Sequence, residues 1–351
     1  MGIHTARPLR IGALIVTAVF FAALAVGCAS PASPLQEHMA IPPVEAVDLG
    51  GEKLRVVATT NILGDVVANV GGDAIDLTVL IGLGQDPHTY QAVARDLAAI
   101  EDAHVVFVVG LNLEESLIDT IDNTASGPVV PVSAGIELIA FAGEHEHENE
   151  GEHEHEGEHE HESEHEHEAA AYDPHFWMDP NNVIVWAENI ADVLSAADPA
   201  NADAYAANAA AYVTELEALD AYIRQGVTRI PEANRKLVTD HLAFGYFADE
   251  YGFEMIGTVV PGATTTAEPS AGDMADLVEQ IKAEGVKAIF VGTSASERLE
   301  QLAGLIAEEA GTEVEVLALY TGSLDEPGTP GATYLGMMRY NIDRMVEGLA
   351  D

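Results

Sequence analysis

Asp173-Pro174-His175-Phe176-Trp177-Met178-Asp179-Pro180 decides how this chain is read. It sets a histidine two residues after an acid, follows it with three large apolar residues, and ends on an acid-proline pair. That pair predicts a helix start, with Asp179 as N-cap and proline in the first turn. Just upstream, residues 144–168 alternate glutamate and histidine, with eight histidines and 13 glutamates. Asp86-Pro87-His88 and Asp240-His241 repeat the theme of one histidine beside a carboxylate at an expected loop. A divalent metal is the most economical reason for all of these.

Working outward, strands are expected over 54–60, 75–81, 104–109 and 129–132, alternating with helices over 62–70, 91–101 and 113–121. A helix follows from 180 to about 197. Asp198-Pro199 then opens another, along which Tyr205, Ala209, Tyr212, Leu216, Leu219, Ile223 and Val227 recur at spacings of three and four. At about thirty residues it would run roughly 45 Å, long enough to act as a spine. Strands over 236–240, 253–260, 287–291 and 313–319 and helices over 243–251, 272–284, 296–310 and 332–349 complete the pattern. Strands alternating with helices imply parallel sheets covered on both faces. The expected fold is therefore α/β: two lobes, each with a mostly parallel sheet covered by helices, joined by a long rigid helix. The expected divisions are 53–197, 198–230 and 231–351, with the metal site in the interlobe cleft.

The length of 351 residues and an apolar fraction of 48% suffice for two cores. A formal net charge of -45 repels phosphates and attracts cations, which argues against a nucleic-acid partner. Cys28 is the only cysteine, so an intrachain disulfide is excluded. Arg7 and Arg10 precede an apolar run over 11–26 that is shorter than the roughly 20 residues of a membrane span, the form of an export signal. Ala25-Val26-Gly27-Cys28 resembles the end of a bacterial lipoprotein signal. The expectation is a signal over 1–27, lipid on Cys28 anchoring the chain to the extracytoplasmic face of the membrane, and a proline-rich tether over 28–52.

In open parallel sheets ligands bind beyond the carboxyl ends of the strands, which is where His88 and His241 fall, one in each lobe. His175 must be brought beside them by the fold. Three imidazoles suit Zn2+, whereas Mn2+ sites usually hold more oxygen. Asp86, Asp173 and Asp240 are placed to orient the rings. Within the acidic tract, His145, His147, His153, His155, His159, His161, His165 and His167 read as an accessory collector that raises local zinc concentration. Its two His-Glu-x-x-His spellings lack the stable helix that a zinc protease motif needs.

Asp86-Pro87-His88-Thr89-Tyr90, the eight-residue stretch from Asp173, Thr239-Asp240-His241, Ala267-Glu268-Pro269-Ser270 and 334–341 together resemble the metal-specific solute-binding lipoproteins of bacterial ABC transporters, the zinc and manganese family. The resemblance covers the chain beyond the tether. It implies a monomeric binding protein that does no chemistry and passes its metal to a membrane permease, with His88, His175 and His241 as ligands. A histidine at 241, where manganese members often carry glutamate, and the acidic histidine loop favour the zinc branch over a manganese- or iron-binding one. The family's fourth ligand is commonly an aspartate where this chain has Gly322. Either water completes the site or a nearby carboxylate is recruited, for which Asp325 is nominated. Readings from other classes are a secreted zinc hydrolase, with Glu268 or a neighbouring acid as base, and a surface zinc store or adhesin.

Overall fold

The first sheet is built by β1 (Leu54–Ala58), β2 (Ile75–Val79), β3 (Val105–Val108) and β4 (Val129–Pro131), in the order β2-β1-β3-β4. The second is built by β5 (Lys236–Thr239), β6 (Glu254–Thr258), β7 (Ala288–Gly292) and β8 (Glu315–Leu319), in the equivalent order β6-β5-β7-β8. Every pairing in both is parallel. This computed structural model describes residues 39–111, 113–140, 172–262, 264–311 and 314–350. The tract, the signal segment and Cys28 lie outside them.

Helices α1 (Asn61–Gly71), α2 (Ala94–Asp102) and α3 (Glu115–Thr124) accompany the first sheet; α6 (Gly245–Tyr251), α7 (Ala271–Glu284) and α8 (Glu297–Ala310) accompany the second. Between the lobes run α4 (Pro180–Ala197) and α5 (Ala202–Val227), and α9 (Tyr334–Leu349) closes the chain. Asp179 caps α4 as expected, its side chain accepting from the Asn181 N–H at 2.9 Å. At 26 residues, α5 is about 39 Å long. It starts later than Asp198-Pro199 suggested, because these residues form a separate 3-10 turn, Pro199–Asn201. Asp198 takes hydrogen bonds from Asn201 and Tyr205 there, which ends α4 before α5 begins.

Side-chain alternation divides each sheet between two cores. Val57, Val106 and Val108 point to an outer core with Ile100, Leu117 and Ile121 from α2 and α3. Val238, Ile289 and Val291 do the same with Leu277, Ile281, Leu299 and Ile306 from α7 and α8. The opposite faces meet in one interior: Val56, Ala58 and Phe107 of the first lobe share a continuous core with Leu237, Phe290 and Leu319 of the second. Trp186 and Ile190 of α4 and Tyr212 and Leu219 of α5 lie within it. The lobes are thus welded by common apolar packing as well as by the connecting helix.

Candidate metal centre

His175 is positioned by the apolar residues that follow it. Phe176, Trp177 and Met178 form a buried 3-10 turn leading into α4. The Trp177 indole N–H donates to the Thr321 carbonyl at 2.8 Å, and the Tyr334 hydroxyl donates to the Trp177 carbonyl at 2.7 Å. His175 is therefore fastened to the second lobe although it lies in the chain before α4. His241 follows β5 by two residues, and the Thr239 hydroxyl donates to its carbonyl at 2.7 Å. His88 ends the loop 82–88 after β2. The Leu80 and Ile81 N–H groups bond the carbonyls of Ala58, at the end of β1, and of Thr59 just beyond it at 3.1 and 2.9 Å, so sheet-like pairing runs up to the start of that loop.

The three rings form a triangle with centroids 5.1 to 5.5 Å apart. His175 Nε2 stands 3.2 Å from His88 Nε2 and 3.3 Å from His241 Nε2. One ligand atom from each residue lies within 4.8 Å of the others. Nδ1 of His175 is 2.8 Å from Asp173 Oδ1, and Nδ1 of His241 is 2.8 Å from Asp240 Oδ1. A carboxylate only accepts, so these contacts assign the ring proton to Nδ1 and aim the Nε2 lone pairs at one point. The edge of a tetrahedron with zinc-nitrogen bonds is about 3.3 Å, matching both short nitrogen separations.

Asp240 is itself held from behind: the Gly292 N–H donates to Oδ2 at 2.7 Å. A Cβ on Gly292 would sit 2.9 Å from that oxygen and 2.4 Å from the Thr321 hydroxyl, so this close approach needs glycine. Burial, reinforced by the neighbouring imidazoles, holds His88 well below the ordinary histidine pKa. Burial also lowers His175, partly opposed by Asp173. For His241 burial pulls downward, but Asp240, Asp86 and Asp173 together outweigh it and the net shift is upward. Asp240 moves oppositely: burial raises it, and contact with His241 and backbone N–H groups brings it below its usual value.

Asp86, Asp173 and Asp240 all stand beside their histidines, but in two manners. Asp173 and Asp240 bond both the ring and the backbone N–H of theirs, whereas Asp86 Oδ1 accepts the His88 N–H at 2.9 Å. Asp325 is not brought to the three rings. Its Oδ2 accepts from the Tyr320 hydroxyl at 2.9 Å and its Oδ1 from the Glu326 N–H at 2.8 Å. Gly322 does face the His88 loop, since a Cβ there would lie 3.1 Å from Pro87 Cδ. Glu268, the base that a hydrolase would need, is exposed and paired with Arg298 at 2.6 Å. Asn61, Thr265 and Ser323, which hydrogen-bond across the lobes beside the site, carry no signal in the sequence.

Residues 56–348 match the family described as zinc-uptake complex component A, periplasmic. The manganese-binding lipoprotein MntA of Halalkalibacterium halodurans is 32% identical over 300 residues, covering 86% of this chain and 90% of that protein. The iron ABC transporter substrate-binding lipoprotein MtsA of Streptococcus pyogenes serotype M1 is 31% identical over 311 residues, covering 85% and 90%. The periplasmic zinc-binding protein TroA of Treponema pallidum superposes with a TM-score of 0.72 at 29% identity, covering 85% of this chain and all of that one. Manganese, iron and zinc all occur among the names of these relatives, so they leave the expected zinc branch unassigned. The match over 56–348, together with the two-lobed fold, makes this chain a member of the periplasmic zinc-uptake complex component A family.

Proposed function

We propose that the protein is the extracytoplasmic solute-binding component of an ABC transporter, capturing Zn2+ between its lobes and delivering it to a membrane permease. The observation that carries this reading is the convergence of the Nε2 atoms of His88, His175 and His241, two of them with their ring protons turned to Asp173 and Asp240. An all-nitrogen set, with two of its Nε2 separations near a tetrahedral edge, suits borderline-soft zinc better than manganese, and the carboxylate that would add hard oxygen is absent at Gly322. Water completes the coordination. Lipid on Cys28 would hold the protein at the membrane, and the histidines of the 144–168 tract would concentrate zinc near the cleft.

Manganese is the second reading, favoured by the names of relatives such as MntA and the Streptococcus pneumoniae lipoprotein PsaA. Metal stoichiometry and competition between zinc and manganese decide, measured on wild type, a deletion of 144–168 and His88→Ala. The proposal expects one tight zinc that excess manganese does not displace, kept without the tract and lost with His88. Manganese displacing zinc at comparable concentration would reverse the assignment. Loss of all tight binding with the tract would instead make the protein a zinc store.

A further inference from the structure

We propose that Thr265 and Ser323 of the second lobe are positioning residues for His88, holding the 82–88 loop in place and so setting how fast a captured metal leaves. The inference rests on the metal-capture reading above and adds to it the device that controls release.

His175 and His241 are deeply buried, and their rings are gripped at Nδ1 by Asp173 and Asp240. His88 is the least buried of the three, and Asp86 takes its backbone N–H rather than its ring. Where the His88 ring points therefore depends on where its loop sits. That loop leaves the first lobe after β2, and although Asn61 of that lobe holds its Gly82 carbonyl, two further anchors reach it from the second lobe. The Gly84 N–H donates to Ser323 Oγ at 2.7 Å, with the Leu324 carbonyl at 3.3 Å. Farther along, the Thr265 hydroxyl donates to Asp86 Oδ2 at 2.5 Å, while the other oxygen of that carboxylate holds His88. Asp86 thus links Thr265 to His88 through its two oxygens.

The Ser323 end is reinforced by Asn61, whose side chain donates to the Gly82 carbonyl at 2.8 Å and to Ser323 Oγ at 2.9 Å, and accepts the Leu324 N–H at 2.7 Å. Because the lobes share one apolar interior, wide separation of the lobes would expose that core, whereas moving the loop breaks only a few hydrogen bonds. Freeing either anchor lets His88 swing away and leaves the metal on two nitrogens. The anchors act on dissociation more than on capture, since release requires the loop to move and their hydrogen bonds to break, whereas the loop already stands in place beside His175 and His241.

The test is a chelator chase, followed by stopped flow, on full-length protein loaded with zinc and separately with manganese. Thr265→Val keeps the shape and removes the donor; Thr265→Ser restores it. A hydrogen bond to a charged group corresponds to roughly tenfold in rate and a neutral one to a few-fold, so Thr265→Val is expected to release metal about tenfold faster and Ser323→Ala a few-fold faster. Association should be unchanged, the metal-free melting temperature of Thr265→Val should fall by no more than a few degrees, as loss of one hydrogen bond allows, and Thr265→Ser should release at the wild-type rate. A Thr265→Val rate equal to wild type, or a Thr265→Ser rate as fast as Thr265→Val, overturns the proposal even if Ser323→Ala proves too unstable to measure. A wild type that retains neither metal overturns the capture reading itself, which is a distinct result.

Discussion

Nε2 of His175 and Nε2 of His241 face each other across 3.3 Å, and behind each ring a buried aspartate holds Nδ1 at 2.8 Å. Two lone pairs so close repel unless a cation lies between them, so the geometry suits a bound metal. The carboxylates fix the tautomer and raise the basicity of the donor nitrogens. Asp173→Asn keeps the shape but can present an amide N–H to Nδ1, which favours the wrong tautomer. Zinc affinity by chelator competition is expected to fall by about 10- to 100-fold. Affinity equal to wild type would mean that packing against Trp177, at 5.2 Å between ring centroids, suffices to aim His175.

Without metal, a proton competes for the same place. His241 is held above the ordinary histidine value of 6.5, because Asp240 and the more distant acids outweigh the effect of burial. Metal binding requires His241 neutral at Nε2, so competition begins above that pH and strengthens as pH falls. Zinc affinity is expected to be flat at high pH and then to drop by about tenfold per unit below the His241 pKa. His88, pushed well below its ordinary value by burial, joins only at much lower pH. Asp240→Asn removes the main charge that raises His241, so the bend in the affinity profile should move to lower pH while absolute affinity weakens. A profile with no bend between about pH 5 and 8 would exclude imidazole ligation.

Much of this was readable beforehand for local reasons. Strands β1, β3, β5 and β7, buried in the middle of their sheets, read as short apolar runs, while the more exposed β2, β6 and β8 were placed by their alternation with helices, and the α5 seam from Tyr205 to Val227 is buried at each expected position. His88, His175 and His241 were visible because each carries its acid one or two residues away. Thr265 and Ser323 were invisible because their partners are 179 and 239 positions distant, and a single hydroxyl has no local pattern. Asp325 misdirected for the opposite reason. It is near Gly322 in sequence, but the Tyr320 hydroxyl claims its carboxylate first.

Gly322 marks a limit on what the second lobe can add to the site. A Cβ there would lie 3.1 Å from Pro87 Cδ, closer than comfortable van der Waals contact, and Pro87 is covalently joined to His88. Gly322→Ala must push the loop outward by a few tenths of an ångström. Overpacking of about 1 kcal/mol would weaken zinc binding about fivefold. Isothermal titration of Gly322→Ala against wild type measures this, and unchanged affinity would show that the loop yields without moving His88.

Asp179 caps α4, yet it is only 8% exposed and its pKa is raised from 3.8 to about 6. Burial is the main cause, with Glu250 and Asp220 adding repulsion against the opposing bonds from Asn181. Between these two pH values the folded chain keeps a proton that the unfolded chain has lost, so this group's contribution to stability declines as pH rises through the window. Above about pH 6 the full penalty applies, of order 3 kcal/mol for a shift of this size. Asparagine caps helices as well as aspartate and carries no charge. Asp179→Asn should therefore match wild type near pH 4 and become the more stable protein by pH 7.5, with denaturant midpoints diverging across the interval. Midpoints that stay parallel at every pH would mean that Asp179 is ionised in the fold without cost, and that the Asn181 bonds fully offset its burial.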